Sequence, residues 1–497
     1  MEKHNISAIG SALVYMAVIL GCFYGCKQEE TGDLLLRDIH VVNVIRGELI
    51  ESQDVLIVDG RIKRIIPHGQ GNITANLEIK ATGKYVMPGF WDMHVHFRTR
   101  KLERDSFSSQ LLEENKDLLP LYVANGVTSV YDMGTDIIDS LRLWRDQIHS
   151  GKIIGPNIYL TGPKIEGSKA IFASSIKIGD RDDVKNAIAQ LTEMEVDGVK
   201  IMGAGDLEVE NYYELLKLVK KQGLQSFSHD LEILSAEESS NQGLSALAHL
   251  RGIIHECFEE YDSVVAQMNT KGVRTPFHPE YNSYVDFMIS RLDTTILRNK
   301  LDKMALNGTA LISTVHYNAY RTTPSSYENV FFKPLRYVGP LFRRDVKARY
   351  ERFGKASAQQ MDYIKQVHQG NTQVLNMLPK TSAILLVGTD AGFGNRAPGT
   401  GYFRELEVLA SGGLSNAYIL KAATWNAARF AGMSESEGAV DIGKKADLVL
   451  LEKNPLGHLP TEETLWGVIR NGEWFGEDRL QGILKSLEEK HDKNSGN

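Results

Sequence analysis

Eight short apolar runs, most of them separated by segments with helical periodicity, dominate the middle of the chain. Short apolar runs that alternate with helices indicate βα units and a parallel sheet. Eight is the number of strands that closes a (β/α)8, or TIM, barrel, so we predict an α/β fold with such a barrel. The runs span residues 90–96, 127–133, 157–161, 198–202, 225–229, 245–250, 310–315 and 384–389.

Both ends of the chain instead show alternating, strand-like segments with turn residues between them. Neither end is long enough to bury a sheet alone, so we predict one small β-sandwich domain built from residues 34–84 and 436–476. Asp59-Gly60 is a hairpin turn signal within the first part. The barrel is then expected over residues 85–435, and residues 477–497 are expected to form a C-terminal helix and tail.

The N-terminal segment has the pattern of a secretory signal. An apolar run over residues 6–20 is shorter than the roughly 20 residues that span a bilayer. Ile19-Leu20-Gly21-Cys22 resembles the bacterial lipoprotein signal box, which implies a signal peptide over residues 1–21, lipidation of Cys22 and a tether over residues 22–33. Cys26 is a second candidate for lipidation. The resemblance implies a cell-envelope protein, periplasmic or surface-facing; a plain secretion signal and an uncleaved anchor remain alternatives.

Composition excludes some classes of function. The formal net charge is -7, which argues against nucleic acid as the partner, because phosphate binding needs clustered Lys and Arg. Three cysteines form no disulfide framework. Cys257 is most simply a small core residue. A small-molecule substrate is compatible with this composition, and the oligomeric state, including a homo-oligomer, is left open.

Two histidines lie at the end of the first apolar run. In Pro88-Gly89-Phe90-Trp91-Asp92-Met93-His94-Val95-His96, the histidines stand at alternate positions of the strand and point to one face. Neutral imidazole is the commonest protein ligand for zinc-like metals. The pair therefore indicates a metal pocket at the end of the strand.

Further metal-capable residues lie on or at the ends of the later runs. The carboxyl ends of parallel barrel strands meet at one rim, where active sites are built. Each residue alone is more often structural, but six such positions favour one metal site. The candidates are His94, His96, Lys200, His229, His249 and Asp390.

This pattern resembles the amidohydrolase superfamily, in its imidazolonepropionase-like and prolidase-like branch. The motifs that carry the resemblance are the run 88–96, Val199-Lys200-Ile201 and Gly388-Thr389-Asp390-Ala391, followed by 403–407, 421–428 and 443–450. The resemblance covers roughly residues 33–472. It implies a metal-dependent hydrolase of carbon–nitrogen bonds.

The resemblance also implies two divalent metal ions. His94, His96 and Asp390 would hold the first, and His229 and His249 the second. Lys200 would carry CO2 as a carbamate that bridges both, because a neutral lysine amine can react with CO2 to give a carboxylate-like group. Histidine and aspartate ligands suit zinc, although Mn, Co or Fe fit as well.

The resemblance leads to a mechanistic hypothesis and to candidates for substrate contact. A hydroxide that bridges the two metals would attack the carbonyl of an amide or cyclic amide, with Asp390 as the general base. A dipeptide or N-acyl amino acid is the expected kind of substrate. Arg98, His316 and Tyr317 are the candidates for substrate binding, whereas Arg404 and Glu405 are interpreted as structural.

Two alternatives stay open. A glutamate on the fifth strand would suggest a mononuclear deaminase of the same fold; Ser228-His229-Asp230 keeps the histidine, although the family often has a small residue in place of Asp230. The other alternative is a non-catalytic amidohydrolase-like surface protein. Loss of the metal ligands would favour this alternative. About two metal ions per chain would support the hydrolase, and about one the deaminase.

Overall fold

The computed structural model describes residues 30–97, 109–135, 137–202, 206–229, 234–250, 252–273, 278–322, 332–392 and 398–493. Several predicted features lie outside these ranges. They are the signal peptide, Cys22, Cys26, Arg98 and Asp230.

The N-terminal strands begin at Glu30, before the expected residue 34. The first strand, including these extra residues, pairs in parallel with the fourth, from Glu30 opposite Ile73 to Arg37 opposite Lys80. Asp59 and Gly60 both have positive φ and form the predicted hairpin turn. The strands are β1 (Glu30–Asn43), β2 (Glu48–Val58), β3 (Arg61–Pro67), β4 (Ile73–Lys80) and β5 (Tyr85–Pro88).

All eight apolar runs form strands, each slightly shorter than predicted. Two additional short strands, β9 and β10, follow the third run. The strands are β6 (Phe90–Val95), β7 (Val127–Asp132), β8 (Asn157–Leu160), β9 (Ile165–Gly167), β10 (Ile176–Ile178), β11 (Gly198–Ile201), β12 (Gln225–Ser228), β13 (Ala246–Ala248), β14 (Ala310–Ile312) and β15 (Ile384–Leu386).

Helices separate most of these strands and also occupy the long segments after β13 and β14. Apolar residues that recur at three and four positions predict a helix over residues 182–195. The helix spans 181–193, because Asp180 caps its first turn in a capping box with Asp183. The α-helices up to β15 are α1 (Ser109–Ala124), α2 (Ile138–His149), α3 (Arg181–Glu193), α4 (Val209–Lys221), α5 (Ala236–Asn241), α6 (Tyr261–Thr270), α7 (Tyr281–Ser290), α8 (Thr294–Leu306), α9 (His316–Arg321), α10 (Pro340–Gly354) and α11 (Ala358–Met377).

The remaining elements lead back to the N-terminal strands. Short 3-10 turns lie at Ile253–Glu256, Lys333–Tyr337, Leu378–Lys380 and Glu462–Thr464, and a π turn lies at Ala422–Asn426. The last helices and strands are α12 (Thr400–Ser411), α13 (Asn416–Lys421), α14 (Ala427–Phe430), β16 (Leu448–Leu451), β17 (Leu465–Arg470), β18 (Glu473–Gly476) and α15 (Glu477–Lys493).

The apolar strands pair in parallel in sequence order. β6, β7 and β8 form one sheet, and β9 and β11 to β15 follow one another in another sheet. Asp197 N donates to Leu160 O at 2.7 Å, which connects the start of β11 with β8. Between the last strand and the first, Met93 N donates to Val387 O at 2.9 Å, and Val95 forms a parallel bridge with Ala391. The result is an α/β architecture in which the carboxyl ends of these strands lie together.

Both chain ends contribute to a single mixed sheet of eight strands. Its order is β18-β17-β16-β5-β1-β2-β3, with β4 paired to β1. Its apolar core combines Leu34, Val55 and Val86 with Leu448 and Ile469. The apolar side chains of the two ends therefore cover one another, which neither end could do alone.

A buried ion pair joins this sheet to the parallel strands. Arg470 Nη1 donates to Asp447 Oδ1 at 2.9 Å, while its Nη2 donates to Asn157 Oδ1 at 2.8 Å and its Nε to Gly155 O at 2.9 Å. Both charged side chains are almost fully buried. No helix within the described ranges is long and apolar enough to cross a membrane.

Candidate metal centre

The two histidines of β6 lie side by side on a buried face. His94 and His96 are one residue apart on an extended strand, so their side chains share a face. Their ring centroids lie 5.2 Å apart, and both side chains are buried. The strand thus presents two imidazoles at its carboxyl end, as the sequence predicts.

Asp390 joins this pair from the segment after β15. Its backbone N donates to His94 O at 2.6 Å, and its Oδ1 lies 2.9 Å from His96 Nε2 and 3.6 Å from His94 Nε2. The potential ligand atoms of the three residues all lie within 4.8 Å of one another. This is the one group with metal-ligand geometry found among the described residues.

His229 and His249 form a second pair beside the first. Their Nε2 atoms are 3.1 Å apart, and His249 Nδ1 lies 2.6 Å from Thr314 Oγ1. The ring of His249 is 4.8 Å from that of His94, measured between centroids. The five carboxylate and imidazole candidates therefore occupy one contiguous site.

Lys200 lies on β11 and is fully buried. Its Nζ makes no hydrogen bond to any described atom. Burial lowers the pKa of this amine from 10.5 to about 7; the charge of Asp390 opposes the shift and that of Lys164 adds to it. A large fraction of the lysine is therefore neutral near pH 7.

Burial also keeps the histidines of β6 neutral. It holds the pKa of His94 well below its usual value, with a further contribution from the charge of Lys200. The pKa of His96 falls to about 4 because burial outweighs the opposing interaction with Asp390. Both residues are therefore available as neutral nitrogen donors.

This donor set fits a divalent cation. Neutral imidazole nitrogens and carboxylate oxygens are ligands of zinc. Neither ring nitrogen of His94 has a hydrogen-bond partner among the described residues, although both are buried. An unsatisfied buried polar group costs about 1–3 kcal/mol, and a cation bound between His94, His96 and Asp390 would satisfy it.

Strained backbone accompanies the site. Asp390, Thr314, His249 and Leu250 all have positive φ, between 48° and 78°. Such conformations are uncommon for residues other than glycine and are found at functional sites. Three strands, β13, β14 and β15, thus end in turns that direct polar side chains toward one another.

Asp92 is a residue beside the site that the sequence analysis did not single out. Its carboxylate accepts hydrogen bonds from Thr389 N at 2.9 Å and from Thr389 Oγ1 at 2.5 Å. Burial raises the pKa of Asp92 to about 7, against these hydrogen bonds. Asp92 thus ties β6 to the residue before Asp390. The sequence signal for Asp92 was its position two residues before His94, which puts both side chains on the same face of β6.

The predicted substrate residue His316 has an unexpected partner. Glu405, interpreted from sequence as structural, is fully buried and accepts bonds from Val315 N, His316 N and His316 Nδ1, at 2.9, 2.9 and 2.7 Å. Tyr317 is half-buried, with the guanidinium carbon of Arg321 4.8 Å from its ring centroid. Arg98 lies outside the described residues.

The sequence matches a known family. The model of the amidohydrolase family covers residues 85–479. The chain belongs to the amidohydrolase family. The predicted resemblance is thereby confirmed for the amidohydrolase family.

Individual amidohydrolases resemble the chain more distantly. An adenine deaminase from Deinococcus deserti is 27% identical over 154 residues, which cover 30% of this chain and 25% of that protein. A dihydroorotase from Pelotomaculum thermopropionicum is 29% identical over 236 residues, which cover 44% of this chain and 47% of that protein. The chain thus spans from a quarter to about half of these relatives.

Solved structures show the same fold over more of the chain. A Xaa-Pro dipeptidase, solved with methionine bound in its active site, has a TM-score of 0.62 and 18% identity, and the match covers 89% of this chain and 99% of that one. At this identity the likeness concerns the fold alone, which is an α/β fold of the TIM-barrel type.

Proposed function

We propose that this amidohydrolase cleaves a carbon–nitrogen bond in an amide or cyclic amide of a small molecule, such as a dipeptide or N-acyl amino acid. The observation that carries the proposal is the buried cluster of His94, His96 and Asp390 beside Lys200. A buried set of metal-capable donors with unsatisfied nitrogens has little purpose in a purely structural protein.

The site offers ligands for two divalent ions. His94, His96 and Asp390 would hold one, and His229 and His249 the other. Lys200 would connect them as a carbamate; its burial and the absence of a hydrogen bond at Nζ among the described atoms support this assignment. When bound, such ions, with zinc suited to these ligands, polarise a carbonyl and activate water for attack.

The protein's own groups would handle protons and the substrate. Asp390 Oδ1 would accept the proton of the attacking water and deliver it to the leaving nitrogen. Glu405 holds His316 through Nδ1, which directs the other nitrogen, Nε2, away from the carboxylate. His316 and Tyr317 would contact the substrate from this side of the rim.

A deaminase with one metal is the second candidate. The tight group of His94, His96 and Asp390 could serve a single ion, and adenine deaminases are among the relatives. Ammonia release from adenine, with about one metal ion per chain, would favour this alternative.

The experiment that tests the proposal is a substrate screen with metal analysis. Metal-reconstituted protein is incubated with libraries of dipeptides, N-acyl amino acids and cyclic amides, and hydrolysis is followed alongside metal content. We expect turnover with about two ions per chain.

The variant Asp390→Asn should keep most of the metal and lose roughly 10²- to 10⁴-fold in kcat, the range for a general base. The exposed Asp362→Asn is the matched control and should change neither quantity. Near-normal turnover in Asp390→Asn would remove the proposed base.

We further propose three features of the protein's architecture and location. The contacts between β15 and β6 would complete a closed (β/α)8 barrel, and the sheet of both chain ends would fold over as a β-sandwich. Lipidation of Cys22 would hold the protein at a membrane of the cell envelope; the signal-box pattern Ile19-Leu20-Gly21-Cys22 supports this.

A further inference from the structure

An open cavity lies at the end of the parallel strands opposite the metal centre. It has a volume of about 490 Å³, and the residues that lead into β12, β13, β14 and β15 border it. Because these strands are parallel, their amino ends share the edge opposite to the one at which the metal-capable side chains meet. A volume of this size accommodates a small molecule. The bordering segments are residues 223–226, 243–245 and 307–308 and Ile384.

The cavity is basic, although the net charge of the chain is -7. Lys220 and Arg429 border it, and within the described part of the chain no acidic side chain does. Neither cation forms an ion pair or a side-chain hydrogen bond with a described residue. The stem of Lys220 reaches from α4 to the loop before β13, since a Cβ built on Gly243 would lie 3.8 Å from its Cδ. Two positive charges are therefore available to a ligand in the cavity.

The helix ends explain why basic residues stand here, but they do not occupy the charged groups. Lys220 lies in the last turn of α4 and Arg429 in the last turn of α14, where the helix dipole favours positive charge. Carbonyl groups at the ends of α4, α5 and α8 already accept hydrogen bonds from Gly223 N, Gly243 N and Gly308 N, each at 3.0 Å. Neither cation caps these carbonyl groups through its side chain.

A pair of serines adds a hydroxyl donor to the wall of the cavity. Ser226 N donates to Ser245 Oγ at 3.0 Å, Ser245 N donates to Ser226 Oγ at 2.9 Å, and the two oxygens lie 3.2 Å apart. Only one of the two hydroxyl hydrogens can lie between the oxygens. The other has no acceptor among the described residues, although Ser226 is buried. A buried donor without an acceptor is unfavourable, and an oxygen atom of a ligand would satisfy it.

The rest of the wall is largely apolar. Leu224, Leu244, Ile384 and Phe430 border the cavity. Leu244 is buried, and the other three are half-buried. Apolar surface of this kind retains the hydrocarbon part of a ligand, because both surfaces are removed from water. Together with the two cations, it favours an anion with a hydrocarbon body over an inorganic ion.

We propose that this cavity is a second ligand site, which binds a small organic anion with a hydrocarbon body and one carboxylate or phosphate group. Arg429 would bind the anionic group, because a planar guanidinium matches two oxygens of a carboxylate or phosphate at once. Lys220 would add a second positive charge, and the pair of Ser226 and Ser245 would donate the free hydroxyl hydrogen.

The cavity is separate from the metal centre. Ser226 precedes His229 by three residues, and Ser245 precedes His249 by four. At about 3.3 Å per residue of strand, β12 and β13 place the two sites roughly 10–13 Å apart. The ligand of the cavity is therefore not the substrate, and the inference does not depend on the proposed function.

The test measures binding by isothermal titration calorimetry. The probes are phenylacetate, phenyl phosphate, inorganic phosphate and the neutral phenylacetamide. The full-length protein is treated with a chelator first, so that no probe binds through a metal ion. Arg429→Met and Lys220→Met each remove one cation at an exposed position, where the change does not disturb the core. The matched controls are Arg298→Met and Lys221→Met, which are exposed and do not border the cavity.

We expect phenylacetate or phenyl phosphate to bind more tightly than phenylacetamide and inorganic phosphate, and the tighter of the two identifies the anionic group. Arg429→Met should weaken this binding about 10- to 100-fold, the usual effect of losing a charged hydrogen bond, and Lys220→Met about 10-fold. Both controls should bind as wild type does. The ligand should also slow hydrogen exchange in residues 223–226 and 243–245, and leave it unchanged around His94 and His96.

Four results would overturn the inference. Equal binding of phenylacetate and phenylacetamide excludes recognition of the charge, and inorganic phosphate that binds as tightly as the aromatic anions excludes recognition of the hydrocarbon body. Unchanged affinity in both Arg429→Met and Lys220→Met places the anion elsewhere. The last is an absence of both heat and exchange protection with every probe at about 10 mM, a concentration that fills most of a site with a Kd of about 1 mM.

Discussion

Replacing Lys200 by methionine should stabilise the metal-free protein while abolishing turnover. The amine of Lys200 is buried, and its Nζ bonds to no described atom. Its pKa falls from 10.5 to about 7, which corresponds to about 5 kcal/mol at about 1.4 kcal/mol per pKa unit. Methionine has a similar length and loses no charge on burial, so the variant avoids this cost.

The effect should depend on pH in a defined direction. The pKa of Lys200 is lower in the folded state than in the unfolded chain, so the unfolded chain binds more protons between pH 7 and pH 10.5. The stability of the metal-free wild type therefore rises with pH in this window. The free energy of unfolding of metal-free Lys200→Met should exceed that of metal-free wild type by about 4 kcal/mol at pH 7 and by about 2 kcal/mol at pH 9.

The assay is chemical unfolding of chelator-treated protein in CO2-depleted buffer, at pH 7 and pH 9. Lys177→Met, at an exposed position, is the control, and its free energy of unfolding should equal that of wild type at both pH values. The same Lys200→Met protein, supplied with metal, should hydrolyse no substrate that wild type hydrolyses. Equal stability of Lys200→Met and wild type would refute the reasoning. A difference in their free energies of unfolding that is as large at pH 9 as at pH 7 would refute it too.

Two further predictions concern the fold and the location. Arg470→Met leaves Asp447 buried without its ion pair and should lower the free energy of unfolding by about 3–5 kcal/mol; thermal or denaturant unfolding measures this, and Arg64→Met, at an exposed pair with Glu30, should cost far less. Cys22→Ser should move the protein from the membrane to the soluble fraction of cells expressing it; retention in membranes would argue against lipidation at this residue.

Much of the architecture follows from local pattern. A strand of a parallel sheet is covered on both faces, so it reads as a continuous apolar run, and all eight runs form strands. The residues at the ends of these runs were accordingly predictable as neighbours: His94, His96 and Asp390 do come together. The cap of α3 shows the limit of such patterns, since it shifts the helix by one or two residues.

Contacts between distant segments were not predictable in this way. Glu405 and His316 are 89 residues apart and Asp92 and Thr389 297 apart, and each pair is joined by hydrogen bonds that no local periodicity encodes.

The sequence alone therefore determined the order of strands and helices, the residues at the strand ends and, through its motifs, the family. Only the tertiary structure decided which side chains share the rim and how each is held. The physical reason is that hydrophobic periodicity indicates which residues of a helix or strand are buried. Which residue it meets depends on how the separated segments pack.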